Sequence, residues 1–252
     1  MSNLRTVLSA IVVLLFSSGT LTLQTSKPPA NRRNFIACPI VRDTKTMPCW
    51  LAEYEGELYY LGQQGSSSSE FYPPQLNHEA LIEGTLSNTP RICGGLPLNP
   101  INVSVMTELN RACNTLLPAE AGYDAPPPPA SSFSRAPFPD ATREFAVSFD
   151  FDSDYLTLHT TRIVGEAARI AKLSQATRVE VNSYRATTLL SNGQALVEGQ
   201  SIAEARAKKI GAILTGLGVP AAAVNLNWKS EAEPGDGITD PQKRRVSIKL
   251  TP

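Results

Sequence analysis

Ser201-Ile-Ala-Glu-Ala-Arg-Ala-Lys-Lys-Ile-Gly-Ala-Ile-Leu-Thr-Gly-Leu217 is the stretch on which the fold turns. At about 100° per residue, Ile202, Ala203, Ala207, Ile210, Ile213, Leu214 and Leu217 fall in one apolar arc, with Glu204, Lys208, Ala212 and Thr215 opposite. This predicts an amphipathic helix, closed by the breakers Gly216 and Gly218. Arg206 breaks the pattern. It projects into the apolar arc between Ile213 and Leu217, where a guanidinium needs a route to water or an anion. Two readings stand: a rim Arg laying its stem on the core, or an anion-binding Arg at the mouth of a pocket.

Around this helix, residues 143–252 carry four alternating strands. Their apolar positions are Phe145, Val147, Phe149 and Phe151; Val179 and Val181; Val224, Leu226 and Trp228; and Val246, Ile248 and Leu250. The residues between them, among them Ser148, Asp150, Glu180, Asn182, Asn225, Asn227, Ser247 and Lys249, are polar, so one face of a sheet is buried and the other meets water. A second helical pattern at 160–173 places Ile163, Ala167 and Ile170 on one face. The order β-α-β-α-β-β, with right-handed crossovers, stacks both helices on the buried face. The expected class is α+β, ending in a two-layer sandwich.

Upstream, residues 119–142 read as a linker. They include the run Pro126 to Pro129 and have no hydrophobic period, which makes them a polyproline spacer; an SH3-type ligand is the alternative for that run. No core is expected to cross the spacer, so the flanking domains are expected to melt independently. The first of them, 34–118, reads as β-rich. Trp50-Leu-Ala-Glu-Tyr54 and Glu57-Leu-Tyr-Tyr-Leu61 flank the turn Glu55-Gly56 as a hairpin, strands follow at 80–86 and 101–106, and a short helix is expected at 109–116. Gly65-Ser-Ser-Ser-Ser69 reads as a loop tip. The pattern weakly resembles small OB-like exported barrels. Trp50, Tyr54, Tyr59 and Tyr60 are assigned to core or rim packing rather than to stacking on sugars.

Composition narrows the function. The chain has 252 residues, a formal net charge of zero, and only Arg42, Lys45, Arg91 and Arg111 as cations in 35–118, so nucleic-acid binding is not expected. Cys38, Cys49, Cys93 and Cys113 form no Cys-x-x-Cys pair, and the two histidines, His78 and His159, are distant in sequence, which favours two disulfides over zinc. Of the three connectivities, Cys38 with Cys49 and Cys93 with Cys113 is the expectation. No metal, cofactor or catalytic constellation is visible, and the chain does not read as an enzyme. Arg5, the apolar run 6–16 and the small polar residues Ser17-Ser-Gly-Thr20 make 1–24 a signal peptide, with an uncleaved anchor as the alternative.

Phe149-Asp-Phe-Asp-Ser-Asp-Tyr-Leu-Thr157, Ser183-Tyr184, Ile202-Ala-Glu-Ala-Arg-Ala207 with Leu217-Gly-Val219, and Arg244-Arg-Val-Ser-Ile248 together resemble the OmpA-like C-terminal domain over about 110 residues. That resemblance implies a Gram-negative periplasmic protein, associated with the cell wall or outer membrane, that grips the diaminopimelate of peptidoglycan. An Asp after the second strand would take the ammonium and the helix Arg the carboxylate. Arg206 holds the Arg position. The Asp position is Ala186, within Ser183-Tyr184-Arg185-Ala186, and the connection to Arg206 is longer than is usual for the family. The candidate ligand residues are therefore Arg206, Tyr184 and Arg185, with Glu198 of the longer loop as a substitute carboxylate. Two functions stay open: a peptidoglycan-associating protein with an altered diaminopimelate site, or a module that keeps the fold and binds other envelope proteins. Contact with a membrane is expected only through the signal or anchor, or through a partner.

Overall fold

The structure, a computed structural model, describes residues 28–63, 71–119 and 137–252. The expected signal segment, the Gly65–Ser69 tip and residues 120–136 of the linker lie outside the described residues.

The N-terminal domain is a seven-stranded sheet made of β1 (Arg32–Ala37), β2 (Pro39–Arg42), β3 (Cys49–Tyr54), β4 (Glu57–Gly62), β5 (His78–Leu86), β6 (Leu96–Leu109) and β7 (Leu116–Leu117). The strand order is β1-β5-β6-β4-β3-β2-β7. The β3–β4 hairpin forms where the sequence places it. Glu55 and Gly56 both take positive φ, 53° and 76°, which the tight turn of a twisted hairpin demands. Phe35, Ala52, Tyr59, Leu61, Ala80, Ile82 and Leu98 make the core, with Trp50 and Tyr54 packed against it. The Phe35 and Tyr54 rings stack with centroids 4.5 Å apart. Tyr60 joins a second cluster around Ile40, Cys49, Leu51 and Cys93. The aromatics are packing residues.

Two expectations for this domain are corrected. Residues 109–116 form no helix: the Asn110 N–H bonds to the Asn77 carbonyl, and the Asn110 side chain accepts from the Ala112 N–H, a local turn that competes with helical bonding. Both disulfides lie in this domain and no described cysteine is free, but the bonds join Cys38 to Cys113 and Cys49 to Cys93. Strand register explains why sequence neighbours do not pair. Cys49 sits opposite Arg42, while Cys38 lies four residues further along, beyond the Pro39–Ala52 pair. At about 3.3 Å per residue that is roughly 13 Å, far outside disulfide reach.

The C-terminal domain runs β8 (Glu144–Ser148), α1 (Leu158–Leu173), β9 (Arg178–Ser183), β10 (Thr187–Leu189), β11 (Ala195–Val197), α2 (Ile202–Gly216), β12 (Val224–Trp228), α3 (Asp240–Lys243) and β13 (Arg245–Thr251). Four strands form the sheet β12-β9-β13-β8. The Thr157 hydroxyl caps α1 by accepting from the Thr160 N–H. Val147, Val164, Ile170, Val181, Ile210, Leu214 and Ile248 fill the space between helices and sheet. Gly211 allows that closeness: a Cβ there would stand 2.7 Å from Leu226 of β12. The β-α-β-α-β-β order holds, with α3 and the small β10–β11 hairpin added. That hairpin occupies the long connection into α2. β8 ends at Ser148, so Phe149 and Phe151 leave the sheet together with the chain.

The expectation that no core joins the two domains is also corrected. Leu81 of β5 clusters with Phe151 and Leu190, and Ile36, Met106 and Leu196 pack around them. Backbone and side chains stitch the same seam. Asn34 and Ser191 exchange bonds of 2.9 and 2.8 Å, Asn34 Nδ2 donates to the carbonyls of Leu189 and Gly237, and the Phe151 N–H donates to Ser104 Oγ at 2.9 Å. Alternation along β5 sends Ala80 and Ile82 into the N-terminal core and Leu81 and Glu83 outward, yet all four are buried. The second domain covers the outer face.

Candidate functional site

The site is built where α2, β9 and the chain leaving β8 converge. Arg206 enters from the first turns of α2 and is fully buried, so the apolar arc does carry it into the interior. Its guanidinium lies over the Phe149 ring, 4.9 Å from the centroid. Nε donates to the Ser153 carbonyl at 2.8 Å. Nη1 donates to the Tyr184 carbonyl and to Glu198 Oε2, both at 3.2 Å. Nη2 donates to the Asp150 carbonyl at 2.9 Å and to Glu198 Oε1 at 2.6 Å. A guanidinium has five N–H donors, and in this arrangement all five are used.

Glu198 is satisfied just as completely. Beside its fork to Arg206, Oε1 accepts from the Asp152 N–H at 2.9 Å and Oε2 from the Ala186 N–H at 2.7 Å. The pair is fully buried on both sides. Such a pair survives desolvation only when its geometry is good and its remaining polar sites are bonded, and both conditions hold here. Gly199 allows the tight approach, since a Cβ there would meet Asp152 Oδ1 at 2.9 Å.

The other candidate ligand residues lie around this pair. The Ala186 side chain is buried, and its backbone N–H is one of the donors to Glu198. Arg185 is tied to main chain, with Nη1 donating to the Ser230 carbonyl at 2.8 Å and Nη2 donating to the carbonyl of Glu198. The Tyr184 ring lies under the Arg245 guanidinium, 4.3 Å away, and Arg245 in turn forks onto Glu233 at 2.9 and 3.1 Å. Glu198, the candidate acceptor for a ligand's ammonium, accepts both forks of Arg206.

A second buried pair joins Arg244 to Glu83. Arg244 forks onto both oxygens of Glu83 and donates to Thr188 Oγ1 at 2.8 Å, with Phe151 beneath the guanidinium at 5.8 Å. Burial opposes the Arg244 charge, and Glu83 more than offsets it, so its pKa lies above the ordinary value. Glu83 comes from the N-terminal domain and stands inside the apolar run Ala80-Leu-Ile-Glu-Gly84. A lone carboxylate in such a run is the sequence signal that an interior cation is near.

Residues 148–247 match the model of the OmpA family. They form an OmpA-family domain. An outer membrane protein of Gluconacetobacter diazotrophicus is 36% identical over 119 residues, covering 44% of this chain and 31% of the relative. The chain thus spans about a third of that relative's length. Among solved structures, the OmpA-like domain of FopA1 from Francisella tularensis has 20% identity and a TM-score of 0.33, covering 42% of this chain and 73% of that one. The periplasmic domain of MotB from Helicobacter pylori has 20% identity and a TM-score of 0.34, with 42% and 70% covered. The OmpA-family match includes both buried arginines, Arg206 and Arg244, and leaves Glu83 outside it. Among the described residues no helix is long and apolar enough to cross a membrane, and no cluster of His, Cys, Asp or Glu is placed to hold a metal.

Asp150 completes the electrostatics of the OmpA-family domain. Burial pushes its carboxyl up to about 6, with Arg244 and Arg206 pulling down and Glu83 pushing up. Because the folded pKa lies above the unfolded value of about 3.9, the folded state holds the extra proton between about pH 4 and 6, and stability from this group falls as pH rises through that window. Asp150→Asn should therefore match the wild type near pH 4 and melt at a higher temperature at pH 7. An equal difference between the two proteins at both pH values would contradict this.

Proposed function

We propose that the chain is a non-enzymatic cell-envelope protein of the periplasm. Its OmpA-family domain serves as an interaction module, not as a grip on peptidoglycan. The carrying observation is the Arg206–Glu198 pair: the guanidinium that the family resemblance assigns to a ligand's carboxylate already holds one from its own chain. Ala186 at the Asp position supplies no acceptor for an ammonium. Exported location is supported by the two disulfides and by the envelope relative. The surfaces left for a partner are the polar face of the C-terminal sheet, the N-terminal domain, and the edge strand β12, which ends in the exposed Trp228.

The test is co-sedimentation of the full, oxidised chain with isolated sacculi. The wild type should stay in the supernatant. Retention that free diaminopimelate reverses would restore the peptidoglycan reading favoured by the family resemblance alone.

A further inference from the structure

Four donors converge on the Glu198 carboxylate: Arg206 Nη1 and Nη2, and the backbone N–H groups of Asp152 and Ala186. Two come from a fixed guanidinium fork and two from main chain, so the cradle is shaped for a carboxylate whatever chain supplies it. The segment that delivers Glu198 is the one that docks on the N-terminal domain. At its base, Glu198 and Ala186 are joined by a 3.2 Å backbone bond, and β10 pairs with β11. Along its body, Thr188 bonds Glu83, Leu190 enters the cluster with Leu81, Leu196 packs at its margin, and Ser191 bonds Asn34. One short hairpin closes the cradle at one end and holds the other domain at the other.

We infer that this cradle is a carboxylate-binding site masked in cis, and that residues 186–198 are a latch whose closure is coupled to docking of the N-terminal domain. The inference rests on the reading that the wild-type cradle is closed. Whatever loosens the seam at Glu83 or Leu190 loosens Glu198, and by reciprocity a carboxylate that enters the cradle weakens the seam. The latch is held from two sides: by Glu83, Asn34 and Leu81 of the N-terminal sheet, and by Asp240 Oδ2 and the Glu233 carbonyl of its own domain, which accept from the Leu189 and Thr187 N–H groups at 2.8 Å.

Amide hydrogen exchange on the full chain tests the coupling. In Glu83→Gln, the Ala186 and Asp152 amides should exchange at least about tenfold faster relative to the wild type, while the Val181 amide in the central strand β9 changes much less. Uniform acceleration of all three, or none, overturns the coupling. Leu190→Ala serves as a second seam variant if Glu83→Gln does not fold. The cradle is tested separately with Glu198→Ala, where acetate should shift the Arg206 Nε–H resonance saturably and raise the melting temperature, while chloride at equal ionic strength and acetamide do neither. Absence of an acetate-specific response in the folded variant overturns the site. These readouts do not involve peptidoglycan, so wild-type binding to sacculi would remove the closed-cradle reading independently of either result.

Discussion

Arg206→Ala should destabilise the protein by roughly 3–5 kcal/mol, the cost typical of removing one partner of a fully buried ion pair. The loss has two parts. Glu198 keeps the Asp152 and Ala186 N–H groups but is left as a buried anion with no cation, and the carbonyls of Asp150, Ser153 and Tyr184 each lose a donor. The sequence pattern alone points the other way: an Ala on the apolar arc of a helix removes a charge from the core and suits helix propensity. The difference lies in Glu198, which is eight residues from Arg206 and not on the helix. Denaturant unfolding at constant m-value measures the effect, and a loss below about 1 kcal/mol would mean that the pair is solvated. Arg206→Met combined with Glu198→Gln should recover part of the loss, because no unpaired charge remains.

Cutting the chain at a protease site placed between residues 120 and 136 should leave the two pieces bound to each other. Leu81, Phe151 and Leu190 are shared across the seam and nearly fully buried. Each such side chain contributes on the order of 1.5–3 kcal/mol of transfer free energy. Separation would also return Glu83 and Arg244 to water one at a time and break the exchange between Asn34 and Ser191. The cut protein should run as one species in gel filtration and melt in one transition close to that of the intact chain. Two peaks, with a C-terminal piece that keeps the intact melting temperature, would show that the seam contributes nothing. Proline-rich composition gives the linker its character but carries no information about the surfaces on either side of it.

The C-terminal domain was legible because its signals are local. Alternation in 179–181, 224–228 and 246–250 marks strands buried on one face, and the periodicity around Arg206 marks both a helix and its anomaly. The β10 and β11 strands were not legible, since three residues each are too few for a period. In the N-terminal domain β1 and β2 are illegible for a related reason: the breaks at Cys38 and Pro39 interrupt any alternation. The site was half legible. Arg206 announced a missing anion and the long connection offered Glu198, but which residue the carboxylate would meet depends on how the hairpin folds back, and that depends on the N-terminal domain. The run Ala80-Leu-Ile-Glu-Gly84 held the clue, because a strand with no polar face is a strand covered on both sides.

The bond between Cys38 and Cys113 has a mechanical consequence. Its two ends are 75 residues apart in sequence and only 4.8 Å apart at their Cα atoms. Tension entering before Cys38 and leaving after Cys113 is carried by that staple, which keeps β2 to β6 out of the line of force. Fully extended, 75 residues would span about 250 Å, a length the stapled domain cannot yield under load. The second bond, between Cys49 and Cys93, is nested inside the first and carries no tension while the outer staple holds. Under oxidising conditions the domain therefore acts as a nearly inextensible link, and under reducing conditions as a spring whose first extension comes from its own sheet.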